Sequence, residues 1–225
     1  MQNKPDRLKK PPKPDTATRP ISPSADSLSV FFPCYNEPDN IRRVYESAAK
    51  VLGHTGVDYE VILVDDGSPD QAPHIIDAIA DADPRVTVVH HPTNLGYGAA
   101  IQSGIRAATK TLVFFTDGDG QFDLNELPPL LPLMKEYDIV SCFRLNRRDG
   151  LLRQFNARCW TSLVCLLFRM KFKDINCAFK FYRRRIFDDM ELRSNGALIN
   201  AEFVADGDFA RQAIKPFAVS FQCRG

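Results

Sequence analysis

Apolar and polar positions alternate in blocks along most of this chain. LSVFFP, from Leu28, is dense in β-branched and aromatic residues and reads as a buried strand. In EPDNIRRVYESAAKVL, which follows, Ile41, Val44, Ala48 and Val51/Leu52 recur at helical spacing. YEVILVDD is a second strand, and SPDQAPHIIDAIADA, with proline in its first turns, a second helix. RVTVVHH, GYGAAIQSGIRAAT and TLVFFT continue as strand, helix and strand. NELPPLLPLMKEY is a helix broken by prolines, before a fifth strand, DIVSCF. DINCAFKFYRR reads as a loop entering a strand, a helix is expected around 201–214, and PFAVSFQCR is the last strand. This alternation predicts an α/β fold, a mostly parallel sheet flanked by helices.

Such sheets bind ligands at the carboxyl ends of their strands. The polar clusters lie there: PCYNE after strand one, DDGS after strand two and DGDGQFD after strand four.

Residues 151–170 predict an amphipathic helix. Phe155, Cys159, Leu163, Leu166, Leu167 and Met170 fall on one side, and Arg153, Gln154, Arg158, Thr161 and Arg169 on the other. The pattern fits a core-facing helix and also a helix lying in a membrane interface.

Composition adds an asymmetry that the net charge of +1 conceals. Residues 28–140 hold 7 Lys+Arg against 17 Asp+Glu, and residues 141–193 hold 13 against 5. An acidic half facing a basic half suits a cation held between carboxylates and a polyanion; solvated helix faces are the plainer account. Residues 1–27, with six prolines and six Lys+Arg, form a basic Pro-rich tail expected to be disordered, either solubilising or touching anionic lipid. The six cysteines lack CxxC spacing, and His90 and His91, adjacent on a strand, point to opposite faces, so structural zinc is not expected. The N-terminus lacks the apolar core of a signal peptide, and the run LVCLLF (163–168) is too short to span a bilayer. The expected location is the cytoplasm or the cytoplasmic face of a membrane, with peripheral attachment. No aromatic-interleaved nucleic-acid motif accompanies the basic residues.

Asp117, Asp119 and Asp123 crowd three carboxylates into seven residues, which is costly unless a cation or hydrogen-bonding ligand offsets them. Asp117-Gly118-Asp119 can aim two carboxylates at one hard cation while a diphosphate supplies further oxygens, and Gly118 permits close backbone approach. Asp66 and Ser68 stand where a carboxylate can accept from a ribose hydroxyl or a pyrimidine N–H; Asp65, Ser68 and Asp70 also suit turn and helix caps. NLGYGAA opens a helix with two glycines that could present N–H groups to an anion or allow close packing.

The ordered run PCYNE, YEVILVDDGSPD, NLGYGAA, TDGDGQ and DINCAFKFYRR resembles the family 2 inverting glycosyltransferases of GT-A (Rossmann-like) fold, over about Leu28 to Gly225. Within them it is most similar to the dolichyl- or polyprenyl-phosphate sugar transferases. The resemblance implies a GT-A domain over 28–225, with a nucleotide-sugar and metal half (28–140) and a C-terminal acceptor half (141–225). It implies a GDP-mannose or UDP-glucose type of donor and Mg²⁺ or Mn²⁺. By motif position, Pro33, Tyr35, Glu37, Val64 and Asp66 would line the nucleotide pocket. Asp117, Gly118 and Asp119 would bind diphosphate and metal, and Gln121 the sugar donor. Arg144 and Arg224 would face the donor phosphates; the resembled mannosyltransferases continue further and add a lysine.

The expected reaction is transfer of a hexose to a polyprenyl or dolichyl phosphate, with Asp119, through its metal, and Arg144 stabilising the leaving diphosphate. A lipid monophosphate, with a second pKa near ~6, is already an anionic nucleophile. A glycan or other hydroxyl acceptor would need a general base, for which Asp174 and Asp123 are candidates, although Asp174 suits capping equally. A nucleotide-sugar-binding module without turnover is the third alternative.

Overall fold

The computed structural model describes residues 26–145, 151–168, 173–188, 190–196, 198–205 and 214–220. In chain order its strands are β1 (Leu28–Cys34), β2 (Tyr59–Asp65), β3 (Val86–His90), β4 (Leu112–Phe115), β5 (Ile139–Leu145), β6 (Lys180–Arg183) and β7 (Ile214–Ser220). Its helices are α1 (Pro38–Gly53), α2 (Ala72–Ala82), α3 (Tyr97–Ala107), α4 (Leu151–Phe168) and α5 (Ile199–Ala205).

One seven-stranded sheet runs in the order β3-β2-β1-β4-β6-β5-β7. β1 pairs in parallel with β2 and β4, β2 with β3, and β5 with β7. Only β6 is reversed, antiparallel to both β4 and β5. The uninterrupted apolar runs of β1, β2 and β4 follow from burial on both faces, and Leu112 to Phe115 are fully buried. Aromatic contacts extend the core across the reversed strand: Phe31 stacks on Phe115 at 5.1 Å, and Phe115 on Tyr182 at 5.9 Å.

This topology positions the site. The carboxyl ends of β1, β2, β4 and β5 open on one edge of the sheet. Because β6 is reversed, the loop that feeds it, Asp174 to Phe179, arrives at that same edge.

The expected strands and most helices form, the last strand as far as Ser220, with 221–224 outside the described residues. The proline-rich stretch differs: it folds as 3₁₀ turns, Leu124–Glu126 and Pro128–Lys135, with Pro132 inside the second. Proline cannot donate the bond that an α-helix needs, and short 3₁₀ turns tolerate the loss. The helix expected over 201–214 is described as α5, and 206–213 lie outside the described residues. The tail expectation also falls mostly outside them. Its last residue is ordered, however: Ser27 O accepts from Leu112 N at 2.9 Å, and Ser27 N donates to Thr111 Oγ1 at 2.9 Å.

α4 turns its expected apolar side outward. Phe155, Leu163, Leu166 and Leu167 are exposed, while Thr161 and Val164 are buried. No described helix is long and apolar enough to cross a membrane.

Candidate functional site

The loops after β1 and β2 are joined, since Asn36 N donates to Ser68 Oγ at 3.0 Å. Asn36 takes a left-handed turn (φ 56°), which asparagine tolerates better than most residues. The turn leaves Tyr35 46% exposed at the edge. Glu37 accepts from Asn40 Nδ2, and Arg43 donates to Asn40 Oδ1 at 3.2 Å.

The two aspartates at the end of β2, Asp65 and Asp66, are buried. Asp65 accepts from Ser68 N at 3.0 Å and lies 2.9 Å from His90 Nδ1. Asp66 accepts from Leu95 N and Gly96 N, both at 2.9 Å, and from His91 Nδ1 at 2.7 Å. His91 reaches Ser103 Oγ at 2.9 Å on its other nitrogen. The ring pair points to opposite faces, as a strand dictates. Both oxygens of Asp66, expected in the nucleotide pocket, hold the 95–96 turn and His91 together. Val64 is fully buried, so only its backbone, paired with Pro33, comes near the edge. Asp70 caps, accepting from Ala72 N at 2.8 Å.

The glycines of NLGYGAA serve packing. Gly98 N donates to Asn195 O at 2.8 Å, and a Cβ on Gly98 would stand 2.2 Å from Ser194 O. The 194–196 strap thus occupies the place that an anion would take. Ser194 N and Arg193 N donate in turn to Glu202 of α5, at 2.8 and 2.7 Å. Gly118 likewise lets the acidic turn approach β1, since a Cβ there would lie 2.8 Å from Pro33 O.

Of the three crowded carboxylates, Asp123 leaves the group: its Oδ1 accepts from Asn125 N at 2.9 Å and caps the first 3₁₀ turn. Asp117 and Asp119 remain. Burial and the neighbouring Asp119 charge push Asp117 up to about 6, against Tyr97, which donates to it, and the charges of Arg144 and Lys180. Burial also raises Asp119, with Glu37 adding to it, while Gln121 N donates to its Oδ1 at 2.9 Å. A cavity of about 160 Å³ beneath this turn is lined by Arg43, Ser47, Thr116, Asp117, Gly120 and Phe122.

Arg144, at the end of β5, pairs with Asp174: Nε to Oδ2 is 2.7 Å and Nη2 to Oδ1 3.1 Å. Both were expected here in separate roles, one as a phosphate ligand and the other as a candidate base. The structure makes them partners. Lys180, Tyr97 and Asn200 join the site without having been singled out in the sequence. Only the run DINCAFKFYRR signalled Lys180, as a cation inside an apolar strand. Arg224 lies outside the described residues.

No group of three or more His, Cys, Asp or Glu residues among the described residues forms a self-sufficient metal site. Asp117 and Asp119 suit a hard cation that takes one or two carboxylates and completes its shell with ligand phosphates and water. Burial first and the Asp119 charge second make an ionised Asp117 costly, and a bound cation would relieve that cost.

Comparison with solved structures identifies the fold. Glucosyl-3-phosphoglycerate synthase from Mycobacterium tuberculosis superposes with a TM-score of 0.68 at 21% identity, covering 89% of this chain and 73% of that one. It has also been solved with Mn²⁺ and uridine diphosphate. Mannosyl-3-phosphoglycerate synthase from Rubrobacter xylanophilus gives 0.68 at 15% identity, covering 89% and 67%. The fold is that of the GT-A glycosyltransferases.

Among curated relatives, the undecaprenyl-phosphate 4-deoxy-4-formamido-L-arabinose transferase of Klebsiella pneumoniae is 31% identical over 170 residues, 75% of this chain and 52% of the relative. That of Proteus mirabilis is 31% identical over 167 residues, 73% and 51%. The chain spans about half the length of these relatives. The model of the family described as Glycosyl transferase family 2 matches residues 29–191, and with the acidic turn and strand-end loops in place the chain belongs to that family.

Proposed function

We propose that this chain forms the catalytic domain of a metal-dependent inverting glycosyltransferase moving a hexose from a nucleotide sugar to a polyprenyl phosphate. One observation carries the reading: Asp117 and Asp119 share the carboxyl edge of the sheet with two cationic side chains, Arg144 and Lys180, whose charges bear on Asp117. An acidic turn next to fixed cations is complementary to a divalent ion and the phosphates that it would grip. Tyr35, exposed at the same edge, supplies a ring for a base.

When bound, Mg²⁺ or Mn²⁺ would neutralise charge on the leaving diphosphate. Asp117 and Asp119 would hold it, Tyr97 hydrogen-bonds the Asp117 carboxylate, and Arg144, its plane held by Asp174, would serve as the cation for the donor phosphates. An anionic acceptor needs no proton removed. Asp174 and Asp123, the carboxylates expected as bases for a hydroxyl acceptor, are engaged with Arg144 and with a turn. That arrangement favours a phosphate acceptor. The named relatives act on undecaprenyl phosphate, which supports the same choice.

A lipid acceptor lies in a membrane, and α4 offers a face for it. Phe155, Leu163, Leu166 and Leu167 form an exposed apolar stripe suited to lying in the interface, on the cytoplasmic side.

The deciding experiment measures binding of GDP, UDP and dTDP with and without Mn²⁺, then transfer to polyprenyl phosphate and to soluble glycans. Metal-dependent binding with transfer to the lipid phosphate is expected. Transfer to glycans alone would replace the acceptor, and binding without transfer would leave a nucleotide-sugar-binding module. Vesicle sedimentation with Leu166→Glu and Leu167→Glu tests α4: binding should fall sharply in both variants.

A further inference from the structure

Lys180 is buried, 2% exposed, at the first position of β6. Its register partner on β4 is Phe115, just ahead of Thr116 and Asp117. A buried ammonium is costly to keep unless it is paired and hydrogen-bonded. Its Nζ donates to two uncharged oxygens, the Ile175 carbonyl at 2.8 Å and Asn200 Oδ1 at 2.9 Å. Burial lowers its pKa to about 8, against the upward pull of Cys177, Asp174 and Asp117.

What it grips gives it a task. Ile175 follows Asp174 directly, and the Asp174 carboxylate receives both Nε and Nη2 of Arg144. Lys180 therefore holds the backbone one residue beyond the carboxylate that orients the arginine. Asn200, from α5, steadies the ammonium from another element. Arg144 on β5, Asp174 in its loop, Lys180 on β6 and Asn200 on α5 form one connected chain of polar contacts. An apolar residue at position 180 would fill the space and leave the Ile175 carbonyl without this donor.

We propose that Lys180 is a positioning residue: by holding the Ile175 carbonyl it sets the Asp174 carboxylate, and through it the plane of the Arg144 guanidinium. The proposal rests on the reading of Arg144 as a ligand of the sugar donor's phosphates. A flat guanidinium makes two parallel bonds only when its plane is fixed, so a loosened Asp174 would cost phosphate affinity specifically.

The test compares UDP and GDP, each with Mn²⁺, against uridine and guanosine, on the wild-type chain, Lys180→Met, Asn200→Ala, Arg144→Met and Lys180→Met/Arg144→Met. Thermal unfolding is followed in parallel. Lys180→Met, which removes a buried charge while keeping an unbranched chain, should fold and bind the diphosphate that the wild type prefers about tenfold more weakly. Its affinity for the matching nucleoside should not change. Asn200→Ala should shift diphosphate affinity in the same direction by less. In the Arg144→Met background, Lys180→Met should add nothing further, because both act through one guanidinium.

Equal diphosphate affinity in Lys180→Met and wild type would overturn the proposal. So would an equal loss of nucleoside affinity, which marks general distortion, or full additivity with Arg144→Met. A wild-type chain that binds neither diphosphate would remove the functional reading and this proposal together, whereas wild-type binding left unaltered by Lys180→Met removes the proposal alone.

Discussion

Arg144 and Asp174 meet through two nitrogen–oxygen contacts of 2.7 and 3.1 Å, joining the end of one strand to the loop that feeds its neighbour. Asp174 is buried, so the pair stands partly out of water and its two halves depend on each other.

Asp174→Asn keeps one of the two acceptors for the guanidinium, removes the charge, and sets an amide NH₂ against the other guanidinium nitrogen. On the proposed reading, in which Asp174 orients Arg144 and takes no proton, transfer should weaken while the shape of its pH profile persists. Asp174→Ala should be far worse, leaving a mostly buried arginine without its partner at a cost of about 3–5 kcal/mol. Denaturant unfolding and pH–rate profiles separate the two effects. Loss of the profile's acidic limb in Asp174→Asn would make Asp174 a base after all.

Asp117 is the member of the acidic turn whose neutral form the fold favours. Its pKa is raised to about 6 from the model-compound value of 3.8, by burial first and Asp119 second. The folded chain holds this proton more tightly than the unfolded one, so metal-free stability should fall as pH rises from about 4 to 6 and then level off. Asp117→Asn should flatten that fall and raise the metal-free melting temperature at pH 7, at about 2–4 °C per kcal/mol. The same variant should lose Mn²⁺ binding, read by the ion's paramagnetic resonance. Stability gained with cation binding lost is the expected signature of a site built under strain.

Gly98 and Gly53 make a matched pair. A Cβ at Gly98 would meet backbone at 2.2, 2.7 and 2.8 Å in the 194–196 strap, whereas at Gly53 nothing lies within 4 Å. Gly98→Ala should destabilise by about 1–3 kcal/mol through overpacking, with faster amide exchange in residues 193–202. Gly53→Ala should be neutral or gain up to about 1 kcal/mol. Similar melting temperatures for the two variants would contradict the close approach.

His90 sits between two carboxylates, Asp65 at 2.9 Å and Asp77 at 3.0 Å. Partial burial of the ring works against its charge, but the two carboxylates outweigh it and the net shift is upward from 6.5. Stability from this contact should be fully present below pH 6.5 and lost as pH rises through the folded value. His90→Gln should remove that part of the pH dependence, measured as the difference in melting temperature between pH 5.5 and 8.5.

Local pattern reached far into this molecule. The alternation of strand and helix, and the collection of PCYNE, DDGS and DGDGQ at one edge, were legible because strand and helix periods, buried-strand composition and the parallel-sheet rule act over short stretches. What local pattern could not supply was the partner of each polar atom. Asp66 and Asp123 look as available as Asp117 and Asp119 in the sequence, yet one is taken by His91 and two backbone amides and the other by a turn. The glycines of NLGYGAA admit a strap from about a hundred residues onward, at Asn195. α4 carries one apolar side in its sequence, but packing turned Val164 and Thr161 inward and left Leu166 and Leu167 outside. The sequence by itself determined which strands form and where the charged groups gather, since those depend on neighbours along the chain. The tertiary structure alone decided which carboxylate meets which cation, because hydrogen bonds form between atoms that only the folded sheet brings within 3 Å.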